Sequence, residues 1–222
     1  MTDVRKRLEE RYFPDGEFDW MKAGADTLPV IRAGAGQYFK HYVRHNSKEN
    51  RSKKHAAAFT GIALTDFFDG LLSRKSKSGP DWLGGKLDQY ADKALVLPII
   101  HELAKNGEIS EWHWQIAKAR DVGVSVVREA ASLYGIDGYA RNLGKIKAWV
   151  QMAACASALM PEEKCSRDFT EQMFTASSAL TLASGIDQVQ DLAHEAFTII
   201  SSNEILAGVV SLDDYRDELI AA

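Results

Sequence analysis

Four aspartates in the stretch "DFFDGLLSRKSKSGPDWLGGKLDQYADKA", residues 66–94, carry the strongest chemical signal in the chain. Asp66 and Asp69 are three residues apart, Asp88 and Asp92 four. On a helix either spacing places both carboxylates on one face. A turn at Gly79-Pro80 separates the two pairs, so two antiparallel helices can bring all four carboxylates together. Four close carboxylates in a partly buried place take up protons unless cations compensate them. One or two divalent ions would do so, and hard oxygen ligands at this density suit Mg2+, Mn2+ or Ca2+ rather than Zn2+. The alternative is a pair of solvated acidic helix faces. That alternative fits either pair alone better than the whole set, because Phe67, Phe68, Leu71, Leu72, Leu87, Tyr90, Leu95 and Val96 surround the aspartates. Gly70 inside a helix costs about 1 kcal/mol relative to alanine. Like Gly84-Gly85 at the start of the next helix, it leaves room for a ligand or a second backbone. Arg74 follows the first pair and is placed to meet a phosphate.

The elements that must position these residues read as almost all helix. The pattern predicts helices over 2–12, 26–45, 54–74, 84–105, 111–134, 144–160, 168–186 and 188–200, with a short one near 212–220. Polar or Gly/Pro-containing breaks separate them: "HNSKENRSKK", "SKSGPDW", "KNGEIS", "YGIDGYARN" and "MPEEKCSRD". Ser166 or Asp168 can cap the helix after the last of these. No clear period-two alternation occurs, which argues against a sheet. Three regions follow: an amphipathic segment over 1–20, a helical domain over 21–186 and an acidic helical tail over 187–222.

Composition narrows the function classes. The net charge of −4 and a pI of about 5.9 argue against a broad nucleic-acid surface. Cys155 and Cys165 lack metal-type spacing and read as free thiols. "MTDVRKRLEERYF" has no apolar run of the secretory-signal kind. Mean hydropathy is −0.25, and no run of 18 apolar residues occurs, so hydropathy alone describes a soluble helical protein. His41 and His45 share a helix face without a further ligand and read as surface residues. Trp112 and Trp114 beside a turn suit a membrane surface. No HExxH, P-loop or GxSxG pattern occurs.

Asp66-x2-Asp69-Gly70-x2-Ser73-Arg74, nine residues, then Gly84-x3-Asp88-x3-Asp92 resembles the signature of the CDP-alcohol phosphatidyltransferases, with Ser73 in place of that motif's alanine. The likeness extends further. "DTLPVIRAGAG" (26–36) is similar to the family's N-x2-T-x2-R entry to its first helix, with Asp26 for Asn, Pro29 for Thr and Arg32 kept. "ARDVGVSVVREAA" (119–131) resembles the fourth-helix segment of the branch that uses a glycerol phosphate. There Arg120 and Arg128 match and Asp121 replaces Glu. "LGKIKAWVQM" (143–152) is similar to that branch's G-K-x-K-T-x2-Q, with Ala148 for Thr.

The resemblance implies an all-α, six-helix transmembrane bundle over roughly 26–186 with short flanking helices. It implies transfer of a phosphatidyl group from CDP-diacylglycerol to an alcohol, with release of CMP. Asp66, Asp69, Asp88 and Asp92 would hold two Mg2+ or Mn2+ ions, and Asp92 would also serve as general base. Asp66, Gly70, Ser73, Arg74 and Gly84 would line the CDP pocket. Arg120, Arg128, Lys145 and Lys147 would bind the phosphate of an acceptor, sn-glycerol 3-phosphate first and inositol phosphate next. Implied partners are membrane lipid and a second copy of the chain, not nucleic acid. If the helices span, the basic segments Arg44–Lys54 and Arg74–Lys77 would lie together on the cytosolic side with the active site. The other reading is a soluble bundle of the same outline that binds metal or nucleotide without lipid chemistry.

Overall fold

In the computed structural model the backbone of residues 11–75, 82–133 and 142–221 is described. Within those spans, the side chains of 66–75, 82–86, 88, 89, 132, 133, 142, 196, 199, 200 and 202–221 are not part of the description. Among the described residues there are six long α-helices and no strand: α1 (Trp20–His45), α2 (Lys53–Lys75), α3 (Trp82–Lys105), α4 (Glu111–Leu133), α5 (Asn142–Leu159) and α6 (Arg167–Ala221). A single 3-10 turn, Lys48–Asn50, lies between α1 and α2. The all-helical reading holds, and the middle helices begin and end within two residues of expectation.

Two elements differ from expectation. α1 starts at Trp20 rather than at residue 26, because Asp19 caps it by accepting the backbone N–H of Lys22 at 3.0 Å. Pro29 is carried inside the helix. α6 runs unbroken where separate helices over 168–186, 188–200 and 212–220 were expected. Ser166 caps its start, accepting from the N–H of Phe169 at 3.2 Å. Gly185 does not end it, because no proline follows and the flanking residues favour helix. The helix also crosses the expected boundary at 186/187 without a break.

α1 packs most extensively against α3 and next against α2, while α6 packs against α5 and α4. Phe39, Phe59, Leu95, Ile99, Ile100, Leu103, Leu159 and Phe174 form the apolar centre, each almost fully buried. Phe39 and Phe59 meet edge to face at 5.4 Å between ring centroids. The α1–α3 crossing is unusually close. A Cβ placed on Gly36 would run into the carbonyl oxygen of Ala94 and lie 2.8 Å from the Cα of Leu95. Only glycine fits there.

Three connections meet at one end of the bundle. Arg51, fully buried, holds both oxygens of Glu108 (2.5 and 2.6 Å) and donates to the Ala158 carbonyl at 2.8 Å. Lys48 donates to Thr170 Oγ1 at 2.5 Å, and burial lowers its proton affinity. This end corrects the expectation that the two basic segments share a side. Lys54 and Arg74 stand near opposite ends of α2, 20 residues or about 30 Å apart at 1.5 Å per residue. In the first segment Arg51 is spent on Glu108, and Arg44 on Glu102 at 2.9 Å.

Gly36→Ala should therefore lower the melting temperature by several degrees, as about 1–3 kcal/mol of overpacking does in a well-packed core. Gly34→Ala, whose Cβ would meet nothing within 4 Å, should leave it unchanged or raise it. Thermal unfolding followed by circular dichroism compares the two.

Candidate active site

The aspartate motif falls where two helices were expected. Asp66 and Asp69 lie in the second half of α2, Asp88 and Asp92 in the first half of α3. The side chains of Asp66, Asp69, Gly70, Ser73, Arg74, Gly84 and Asp88 lie outside the description, so their convergence is not addressed by it. Among the described residues no group of three potential metal ligands occurs. The donor set is nonetheless of the right chemistry. Four carboxylates at helical spacing on two consecutive helices offer hard oxygens suited to Mg2+ or Mn2+.

Asp92 is described. It reaches α1, where Arg32 Nη1 holds its Oδ1 at 2.5 Å. The Arg32 side chain is fully buried, whereas that of Asp92 retains 30% exposure. This carboxylate is therefore anchored by a buried cation while keeping partial exposure to solvent. Arg32 lies one helical turn before Gly36, so the close α1–α3 crossing is what brings the guanidinium within reach of α3.

A second cluster lies beside the first, built from α3, α4, α5 and α6. Its hub is Asp121, only 3% exposed. Lys147 of α5 approaches both of its oxygens, at 2.9 and 3.0 Å. Arg120 donates to its Oδ1 at 2.9 Å. Gly185 of α6 makes room for Arg120: an added Cβ would come within 3.2 Å of its Cγ. Gly144 of α5 faces the same guanidinium, with 3.9 Å between a Cβ position and Nη2. The amide oxygen of Gln188 accepts from Arg120 Nη2 at 3.3 Å in one orientation. In the flipped orientation it accepts from Arg128 Nε at 2.6 Å. The charge acting most on Arg128 is the like charge of Arg120. Arg120 Nε is buried and finds no acceptor among the described residues. The charges acting on Lys147 include Asp92 as well as Asp121 and Arg120, which ties this cluster to the aspartate motif.

The structure thus brings Arg120, Arg128 and Lys147 together. Lys145 is not with them: it is exposed and stands two residues before Lys147, which on a helix is a different face. Asp121 and Gln188 were not singled out from the sequence. Asp121 replaces a family glutamate in the matched segment, which was the available signal. Gln188 sits past the last family-like residue and gave none. His41 and His45 are exposed, their rings 4.3 Å apart, and Cys155 and Cys165 are free.

The family model for CDP-alcohol phosphatidyltransferases matches residues 25–186. The chain belongs to the CDP-alcohol phosphatidyltransferase family. Similar proteins include the probable phosphatidylglycerophosphate synthase of Mycobacterium tuberculosis, 29% identical over 60% of this chain and 63% of that protein. The CDP-diacylglycerol–glycerol-3-phosphate 3-phosphatidyltransferase of Rickettsia bellii is 35% identical over 45% of this chain and 54% of the relative. The protein of the same name in Bacillus subtilis is 26% identical over 76% and 79%. The chain thus spans 63% of the mycobacterial relative and about half of the rickettsial one. The matched family region contains all of the aspartate motif, Arg32, Arg120, Arg128 and Lys147, and ends two residues before Gln188.

Replacing Asp121 by asparagine would leave Arg120 and Lys147 without their shared carboxylate. Breaking a buried pair in this way costs about 3–5 kcal/mol. Asp121→Asn should melt well below the wild type, and phosphate or sulfate should recover part of the loss by supplying the missing negative charge. Melting curves against anion concentration, with chloride as the ionic-strength control, read this directly.

Proposed function

We propose that the chain transfers a phosphatidyl group from CDP-diacylglycerol to sn-glycerol 3-phosphate, giving phosphatidylglycerophosphate and CMP. The observation that carries this reading is the gathering of Arg120, Arg128 and Lys147 into one group, with the charge of Asp92 acting on Lys147. A base beside such a group suits an acceptor with a hydroxyl at one end and a phosphate at the other. The names of the mycobacterial, rickettsial and Bacillus relatives support the same acceptor.

In this reading Asp92 takes the proton of the acceptor's hydroxyl as its oxygen attacks the phosphatidyl phosphorus. The bond from that phosphorus to the CMP oxygen breaks, and CMP leaves with the electron pair. Arg32 holds Asp92 in place through Oδ1. Asp66, Asp69 and Asp88, with Asp92 at the border, would hold one or two Mg2+ or Mn2+ ions. Such ions neutralise the diphosphate and the departing CMP. Gly70, Ser73, Arg74 and Gly84 would line the CDP pocket. Arg120, Arg128 and Lys147 bind the acceptor phosphate. Lys145, off that face, would act only on the approach of the anion.

The lipid donor calls for a membrane enzyme, and a homodimer goes with that reading. Among the described residues no helix is long and apolar enough to cross a membrane. The distribution of side chains supports a lipid setting nonetheless. On α6, Ser177, Ser178, Thr181, Ser184 and Gln188 are buried while Leu182, Ile186 and Val189 are about half exposed. On α4, Val122 and Val126 are exposed while Asp121 is buried. At these positions polar residues are inside and apolar ones outside, the reverse of a helix facing water, although Glu111, Lys118, Glu129, Gln172 and Gln190 on the same helices are exposed.

Incubation with CDP-diacylglycerol, sn-glycerol 3-phosphate and Mg2+ or Mn2+ in detergent should release CMP. The release should require the acceptor and fall to background in Asp92→Asn. Release with inositol phosphate but not glycerol 3-phosphate would change the acceptor. No release with either from folded protein would remove the transferase reading. The protein should also sediment with membranes and need detergent to leave them; free solubility would favour the soluble metal- or nucleotide-binding bundle.

A further inference from the structure

Lys93 follows Asp92 directly on α3 and reaches across to α4. Its ammonium donates to the hydroxyl of Ser125, which in turn donates to the backbone carbonyl of Asp121 at 2.7 Å. The charges acting on Lys93 are Asp121, Arg128, Arg120 and Lys147, and three of the four are like charges. The single carboxylate among them already serves Arg120 and Lys147. Lys93 also lies 5.4 Å from the ring centroid of Tyr90, itself half exposed. The hydrogen-bond partner of this ammonium is thus a neutral hydroxyl, in a place where Asp121 is already held by Arg120 and Lys147 and Arg128 adds a further like charge. Such an arrangement is electrostatically unfavourable until an anion enters.

We propose that Lys93 is a ligand of the acceptor's phosphate, turning from Ser125 to the incoming anion and tethering it beside Asp92. This inference rests on the reading of the acceptor as a phosphorylated alcohol. Arg120 and Lys147 are held by Asp121, and Arg128 shares Gln188, so those three form a fixed wall. Lys93 is the cation on the same helix as the base, one residue away. A phosphate bound between Lys93 and that wall leaves the acceptor's far hydroxyl to reach Asp92 across its three-carbon chain. An acceptor lacking the phosphate loses this tether and is selected against.

The test uses the full chain in detergent, with Lys93→Met, Lys93→Arg and Ser125→Ala beside the wild type. Two readouts are taken: KM for each substrate, and the rise in melting temperature given by glycerol 3-phosphate or inorganic phosphate alone. Lys93→Met should raise KM for glycerol 3-phosphate at least about tenfold, as loss of a charge-assisted hydrogen bond does. Its KM for CDP-diacylglycerol should stay within about twofold, and its anion-induced melting shift should shrink. Lys93→Arg should recover most of both. Ser125→Ala frees the ammonium without removing it, so KM for glycerol 3-phosphate should not rise. A rise in Ser125→Ala equal to that in Lys93→Met would make the Lys93–Ser125 contact a packing feature and overturn the inference. So would a Lys93→Met that binds both substrates and phosphate like the wild type. If the wild type shows neither a KM nor a melting shift for glycerol 3-phosphate, the phosphorylated-acceptor reading fails first and takes this inference with it.

Discussion

The close crossing of α1 and α3 at Gly36 sets the geometry on which the candidate site depends. Backbone touches backbone there, with the Ala94 carbonyl and the Leu95 Cα filling the space a side chain would take. One turn earlier on α1, Arg32 is thereby brought to Asp92. A guanidinium has a fixed reach, so the ion pair and the glycine contact support each other. The pair also explains why a fully buried arginine is tolerated at all. Its charge is not left alone, and the carboxylate it meets keeps partial exposure, so only one of the two ions loses most of its water. The apolar packing of Phe39, Leu95 and Ile99 begins just beyond this point and keeps the two helices from separating.

The second constraint is charge. Around Asp121, cations from three helices gather: Arg120 and Lys147 hold the carboxylate, its charge also acts on Lys93, and Arg128 stands against Arg120. A structure selected for stability alone would not gather like charges in a half-buried place, because each added cation raises the energy of the others. The surplus makes sense as stored affinity for an anion. The glycines at 144 and 185 point the same way. Gly185 leaves room for the Arg120 side chain, which a Cβ there would crowd, and Gly144 lies in ordinary contact distance of the same guanidinium. The site is therefore assembled from four helices, and the last of its residues, Gln188, comes from beyond the matched family region.

Much of this was legible in the sequence, and for identifiable reasons. The four-aspartate motif, the arginine at 32, the pair Arg120 and Arg128, and Lys147 all stand at fixed spacings on helices whose ends carry strong turn signals. The missed features are those that spacing does not encode. α6 was divided because an acidic stretch after Gly185 looks like a boundary, whereas packing and the absence of proline carry the helix through. Asp121 could not be ranked above other acidic residues until its burial and its two partners were known. Lys145 and Lys147 looked equivalent in "GKIK", and only the rotation of α5 separates them. The two basic segments appeared to share a side because charge counting ignores that a 23-residue helix lies between them.

The low mean hydropathy is then less at odds with the proposed lipid setting than it first appears. The buried hydroxyls of α6 satisfy themselves within the helix: Thr181 donates to the Ser177 carbonyl at 2.7 Å and Ser184 to that of Thr181 at 3.0 Å. Ser157 on α5 does the same with Ala154 at 2.7 Å. Small polar side chains bonded to their own backbone let helices approach closely without leaving unpaired groups. Several charged residues are likewise paired inside, Arg32 with Asp92, Lys147 and Arg120 with Asp121, and Arg51 with Glu108. The exposed positions of α4 and α6 include Val122, Val126, Val127, Leu182, Ile186 and Val189, together with Glu111, Lys118, Glu129, Gln172 and Gln190. A sliding average over sequence sums both faces and reports a polar helix. A surrounding lipid would meet only the exposed face, so a mean over both faces does not describe that face.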